Sequence, residues 1–130
     1  MTRKMAREEA FILIFEKAFN NASVEEILEL ALEVRDLEPD DYIKTVFGGV
    51  FSNLEEIDAL ISENAVGWKI ERISKTALSV LRLAIFEIKF MEDIPEAVSV
   101  NEAVELCKKY ATKEDASFVN GILSTVLKKQ

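Results

Sequence analysis

The chain has 130 residues, 49% of them apolar and 31% charged, with four glycines and two prolines; this suits one domain, or two small halves sharing a core, and favours long helices over disorder. It contains no histidine and a single cysteine, Cys107, which removes the commonest general base, an internal disulfide framework and a thiolate cage for zinc. Against 16 basic residues stand 24 acidic ones, a net charge of −8 that opposes nucleic acid over most of the surface.

The helical period runs through almost the whole chain. Over residues 3–19, Phe11, Ile14, Phe15, Ala18 and Phe19 fall on one face, while Leu13 points the other way; this predicts a helix with one buried stripe. "SVEE" then sets Ser23 three residues before Glu26, a capping-box start, and Val24, Ile27, Leu28, Ala31 and Val34 continue a second helix that fades near Leu37. Pro39 opens a third, in which Tyr42, Ile43, Val46, Phe47, Val50, Phe51, Leu54, Ile57 and Ile61 recur at three and four. Gly48 and Gly49 lie inside it at a cost of about 1 kcal/mol each relative to alanine, which suggests a close helix crossing.

The pattern breaks at Asn64 to Gly67, and the boundary between halves is expected there. After Trp68 and the short "KIERIS", the stretch "TALSVLRLAIFEIKFM" is apolar around most of its circumference, as for a helix surrounded by others. Arg82 and Glu87 interrupt it and are expected to reach the rim or find partners. Beyond Pro95, "SVNE" offers another capping box from Ser99 to Glu102, with Ala103, Val104, Leu106, Cys107 and Tyr110 packing inward. The last helix starts at "TKED", where Thr112 leads Asp115, and carries Phe118, Val119, Ile122, Leu123, Val126 and Leu127. Within it, Asn120-Gly121 is a turn dipeptide that packing must override unless it marks a site.

The fold class is therefore all-α, with about seven helices in two packed groups, near residues 2–63 and 68–129 of one domain spanning 1–130. No segment approaches the roughly 20 apolar residues of a membrane span. The run "AFILIF" is short and follows Glu8 and Glu9, so it makes a poor signal-peptide core; a soluble, cytoplasmic protein without membrane contact is expected. Gly48 and Gly49 lack the Lys-Ser/Thr of a phosphate loop. With its carboxylates scattered on helix surfaces, the chain offers no catalytic residue, no metal site and no cofactor site, and it is not expected to be an enzyme.

Charge is distributed unevenly. Arg3, Lys4 and Arg7 occupy the first seven residues with no acid among them, whereas residues 8–130 hold 13 basic and 24 acidic side chains. Two arginines four apart at a helix start repel each other and the positive end of the backbone dipole, so local stability opposes this placement. Exposed amide donors and three cations suit a phosphate instead, and Phe15, three turns on, offers a stacking surface for a base. The opposite pole, residues 25–58, sets 11 acids against Arg35 and Lys44, which favours solubility or a basic protein partner.

"MAREEAFILIFE", "LRLAIFEIKFMEDIPEAVSVNEAVELCKKYA" and "FVNGIL" resemble the signature segments of the NusB family of bacterial transcription antitermination factors, in order and spacing over essentially the whole chain. The most specific part runs from "SVNEAVEL" to "FVNG". The resemblance implies an all-helical, all-α fold of two packed three-helix-like bundles. It also implies binding to single-stranded boxA RNA of ribosomal transcripts, jointly with a small-subunit ribosomal protein, NusE, and loading onto RNA polymerase with other Nus factors.

By the same resemblance Arg3, Lys4 and Arg7 fall on the family's basic helix start and form the expected RNA clamp. Phe15 stands where the family often has Tyr; Phe118, and Glu114 at an acidic position, lie where the family meets RNA or its ribosomal partner. Asn101, Glu102, Asn120 and Gly121 are family hallmarks with structural explanations: Glu102 caps its helix, Gly121 admits close backbone approach, and the asparagines tie the last two helices together. The chain departs from the pattern in having fewer N-terminal arginines, Ser117 for Lys, Ala111 for Gly, and Leu78 and Ser79 for an acidic-basic pair, so its RNA affinity without the partner is expected to be low. Two alternatives are a protein-interaction module lacking RNA recognition and the NusB-like domain that precedes the catalytic part of ribosomal RNA cytosine methyltransferases, the latter disfavoured by the chain ending at Gln130.

Overall fold

The computed structural model describes residues 1–129, which form seven α-helices and one 3-10 turn, with no strand among them. The helices are α1 (Arg3–Lys17), α2 (Val24–Val34), α3 (Asp41–Ser52), α4 (Leu54–Asn64), α5 (Lys75–Phe90), α6 (Glu96–Tyr110) and α7 (Lys113–Lys128), with the 3-10 turn at Ile70–Arg72. Five helices begin on a side chain that accepts a backbone N–H: Thr2, Ser23, Asp40, Ser74 and Thr112. Each satisfies a donor that the first helical turn leaves without a partner. At Ser23 the box is reciprocal, since Glu26 N–H donates to Ser23 Oγ at 3.1 Å and Ser23 N–H to Glu26 Oε1 at 3.3 Å.

Helix α5 is the centre of the molecule. It packs against α1, α3, α4, α6 and α7, which is why ten of its residues, Ala77 to Leu81 and Leu83 to Glu87, are buried. The apolar core is one continuous cluster that draws on both ends of the chain. A close crossing lies at Gly49 on α3, where a Cβ would stand 2.3 Å from the Phe86 ring of α5. The glycine next to it is different: a Cβ at Gly48 would meet nothing within 4 Å.

Several sequence expectations are corrected. The third helix is interrupted at Asn53, whose side chain donates to the Gly49 carbonyl at 2.8 Å and so competes with the helical ladder. Leu13 is fully buried, because α1 is covered by α2, α3 and α5 and buries more than a single stripe. Phe19 lies past the end of α1 and is exposed, as is Val34 at the end of α2. Helix α6 begins at Glu96 behind Pro95, a residue whose fixed φ suits a helix start. Ser99 therefore sits one turn inside α6 instead of capping it.

Candidate nucleic-acid interface

The first two turns of α1 carry the three N-terminal cations, and the fold treats each differently. Arg7 is 3% exposed. Its guanidinium donates through Nε to Glu87 Oε2 at 2.7 Å and through Nη2 to Glu87 Oε1 at 3.4 Å. Glu87, a 0%-exposed residue of α5, also accepts from the Tyr42 hydroxyl of α3 and from Ser99 Oγ of α6 at 2.7 Å. Four helices thus meet on one carboxylate. A charge so deep is tolerated because an opposite charge and several donors surround it. Burial works against the Arg7 cation, but the hydrogen bond and proximity of Glu87 override it and hold the guanidinium pKa above its ordinary value. Burial, reinforced by Glu87, pushes the Tyr42 phenol pKa up, so its proton stays available for donation.

Lys4 and Arg3 lie outside this network. Lys4 is exposed and donates to Glu102 Oε2 at 3.1 Å, while the other Glu102 oxygen stands 3.8 Å from Arg7 Nη1. Glu102 is thus a surface counter-charge to α1 and not the cap of α6, since the helix begins six residues earlier. Arg3 is exposed, with its guanidinium carbon 4.6 Å from the centroid of the Tyr42 ring. Of the three expected clamp cations, two face solvent. The third is committed to the interior, so the expected outward cluster does not include Arg7.

Further along α1, Phe15 is half-buried, its ring 6.3 Å from Phe11 and 5.0 Å from the exposed Phe19. Phe11 also packs on Tyr110, at 5.1 Å, where α6 ends. Glu8 accepts from Lys109 Nζ at 2.6 Å and from the Tyr110 hydroxyl; these bonds, Lys109 first, hold its carboxyl below the usual range. Phe19, Lys109 and Tyr110 therefore edge the same helix as Arg3 and Lys4. Sequence reading did not single them out for a site, although Tyr110 was expected to pack inward.

Phe118 and Glu114 stand on a different helix, α7, with Glu114 exposed in its first turn and Phe118 half-buried against Trp68. Asn101 and Asn120 are both exposed and line a groove of about 950 Å³ between α6 and α7. No hydrogen bond among the described residues joins them, so they do not tie the two helices. Gly121 is also exposed, with nothing within 4 Å of a Cβ; the helix runs through the Asn-Gly pair without the close approach expected there. Cys107 is buried, and burial pushes its thiol up to about 12, which makes it an inert packing group. No helix is long and apolar enough to cross a membrane.

Comparison with known proteins places this geometry. The model of the NusB family matches residues 4–128. The transcription antitermination protein NusB of Clostridium botulinum (strain Loch Maree / Type A3) is 45% identical over 141 residues, covering 98% of this chain and 100% of its own. Among solved structures, NusB of T. maritima superposes with a TM-score of 0.88 at 34% identity, covering 100% of this chain and 93% of the other. A crystal structure of the antitermination factors NusB and NusE in complex with dsRNA gives 0.88 at 27% identity, covering 98% and 97%. The seven-helix architecture and these relatives agree: the chain belongs to the NusB family, a family of transcription antitermination factors that are not enzymes.

Proposed function

We propose that this antitermination factor binds single-stranded boxA RNA of ribosomal transcripts together with the ribosomal protein NusE, and reaches RNA polymerase and other Nus factors through that complex. The joint binding of RNA and NusE is supported by the likeness, at a TM-score of 0.88, to a NusB in complex with NusE and dsRNA; that the RNA is single-stranded boxA follows from the family resemblance. The exposed cations Arg3 and Lys4 at the start of α1 supply charge of the right sign, and the amide donors of that helix end favour a phosphate. Arg7 supports them from beneath by fixing α1 against α3, α5 and α6. Phe15 extends this contact along α1 with a ring for a base, while Phe118 and Glu114 form a separate contact on α7, the aromatic toward RNA and Glu114 toward the partner. The acidic face of α2, where Glu25, Glu26, Glu29 and Glu33 are exposed, suits a basic protein.

The test is a titration of boxA RNA against the protein, alone and with NusE, at several salt concentrations. Two phosphate contacts contribute a log-log slope of about −1.4 on single-stranded RNA. Arg3→Ala with Lys4→Ala should remove that part of the slope and leave the melting curve nearly unchanged. Binding and slope identical to the parent would reject the assignment of these cations to RNA.

A further inference from the structure

A second surface has the chemistry of a nucleic-acid contact. Between α4 and α5 the chain reverses at Ala65 to Trp68, where Trp68 N–H donates to the Ala65 carbonyl at 2.9 Å and Gly67 has φ of +82°. A four-residue turn with positive φ at its third position is a glycine site for dihedral reasons, and nothing within 4 Å of a Cβ there gives a steric one. The turn directs Trp68, the chain's only tryptophan, outward, where it is 54% exposed. One edge of the indole is nevertheless fixed, for its centroid lies 5.6 Å from that of Phe118 on α7 at an interplanar angle of 64°.

Two cations share a cleft with this open ring. A cleft of about 360 Å³ is lined by Gly67, Trp68, Lys69 and Arg72. Residues 65–75 carry Lys69, Arg72 and Lys75 against the single acid Glu71, a local excess of positive charge in a protein of net charge −8. All three cations are exposed, and none forms an ion pair among the described residues. Seven of the sixteen basic residues, among them Arg35, Arg82, Lys89 and Lys109, are paired with acids; these three are not. An exposed, pre-oriented indole beside unpaired cations fits a ligand with both flat π faces and negative charge, and single-stranded nucleic acid has both.

We infer that Trp68 stacks an RNA base while Lys69 and Arg72 meet the flanking phosphates, forming a second contact apart from the start of α1. The inference rests on the RNA-binding function proposed above. It implies that part of the RNA affinity comes from the connection between α4 and α5.

The single tryptophan is its own reporter. A boxA-containing single-stranded RNA oligonucleotide is titrated into the full chain, alone and with NusE, following Trp68 emission and the anisotropy of a dye on the RNA. Stacking predicts quenching that saturates along the anisotropy curve. Trp68→Ala should weaken binding roughly 5- to 150-fold, the range for loss of one base-aromatic stack, while Trp68→Phe keeps a π face and retains most of the affinity. Circular dichroism checks that the variants fold. Lys69→Ala with Arg72→Ala should reduce the salt slope by about 1.4. RNA binding with unchanged emission and parental affinity in Trp68→Ala would overturn the inference and leave the proposed function standing. Quenching by NusE without RNA would overturn it in favour of a protein contact. No RNA binding in any mixture would remove both.

Discussion

Arg7→Ala should be among the most destabilising single substitutions available in this chain. It removes the counter-charge of Glu87, a fully buried carboxylate that then keeps only the Tyr42 and Ser99 hydroxyls as donors. Breaking a buried ion pair from one side costs about 3–5 kcal/mol, because the remaining charge is left uncompensated. A domain of this kind has about 5–15 kcal/mol in total, so about a fifth or more of the stability would go. Urea denaturation followed by circular dichroism measures this directly. Arg7→Lys keeps the charge but not the two-pronged geometry, and should lose about 1.5–3 kcal/mol, the value of a hydrogen bond to a charged group. Adding Glu87→Gln to Arg7→Ala should recover part of the loss, since no charge then remains buried. A loss in Arg7→Ala within about 0.5 kcal/mol, as at an ordinary surface position, would refute the assignment of Arg7 to the interior.

The two adjacent glycines of α3 should respond with opposite sign. Gly48→Ala gains about 1 kcal/mol of helix propensity with nothing in the way, whereas Gly49→Ala must displace the Phe86 ring, an overpacking cost of about 1–3 kcal/mol that offsets or exceeds the same gain; thermal melts of both variants would show it. The Glu8 carboxyl, with its folded pKa below the ordinary 4.5, contributes stability that is present above that value and lost as the pH falls through the lowered pKa. The melting difference between the parent and Glu8→Gln should therefore be constant near neutrality and shrink below about pH 4.5, and a difference that grew on acidification would contradict the Lys109 and Tyr110 bonds.

What could be read from the sequence was local. The caps at Ser23 and Thr112 are contacts between a residue and one three places on, and both appear as expected. The all-round apolar character of α5 likewise followed from one stretch of chain. The Ser99 box failed because the same three-residue spacing recurs inside a helix, where Pro95 had already set the start. Arg7 failed for a different reason. Its partner is 80 residues away, and nothing in "TRKMAREE" distinguishes a cation that turns inward from one that faces water. Glu87 was noted as needing a partner, but which cation would supply it depends on how α1 crosses α5. The glycine pair showed that a close crossing was present without showing which residue makes it.

The inward turn of Arg7 changes the electrostatics of the proposed RNA contact. Three cations would give a single-strand salt slope of about −2, but one of them neutralises a carboxylate of the protein's own core and releases no counterion, leaving about −1.4 from Arg3 and Lys4. Lys4 in turn shares Glu102 with Arg7, so RNA must compete with an existing ion pair for it. Against a net charge of −8, a contact of that size is weak, because the surrounding field repels a polyanion. Tight binding then requires cations from elsewhere. A basic partner can bring them, and so can the unpaired Lys69 and Arg72 beside Trp68. If the partner supplies them all, the salt slope of the protein alone stays near that of two contacts and is indifferent to Lys69 and Arg72. If the α4–α5 connection contributes, the slope of the protein alone approaches that of four contacts, about −2.8, and falls by half when Lys69 and Arg72 are replaced.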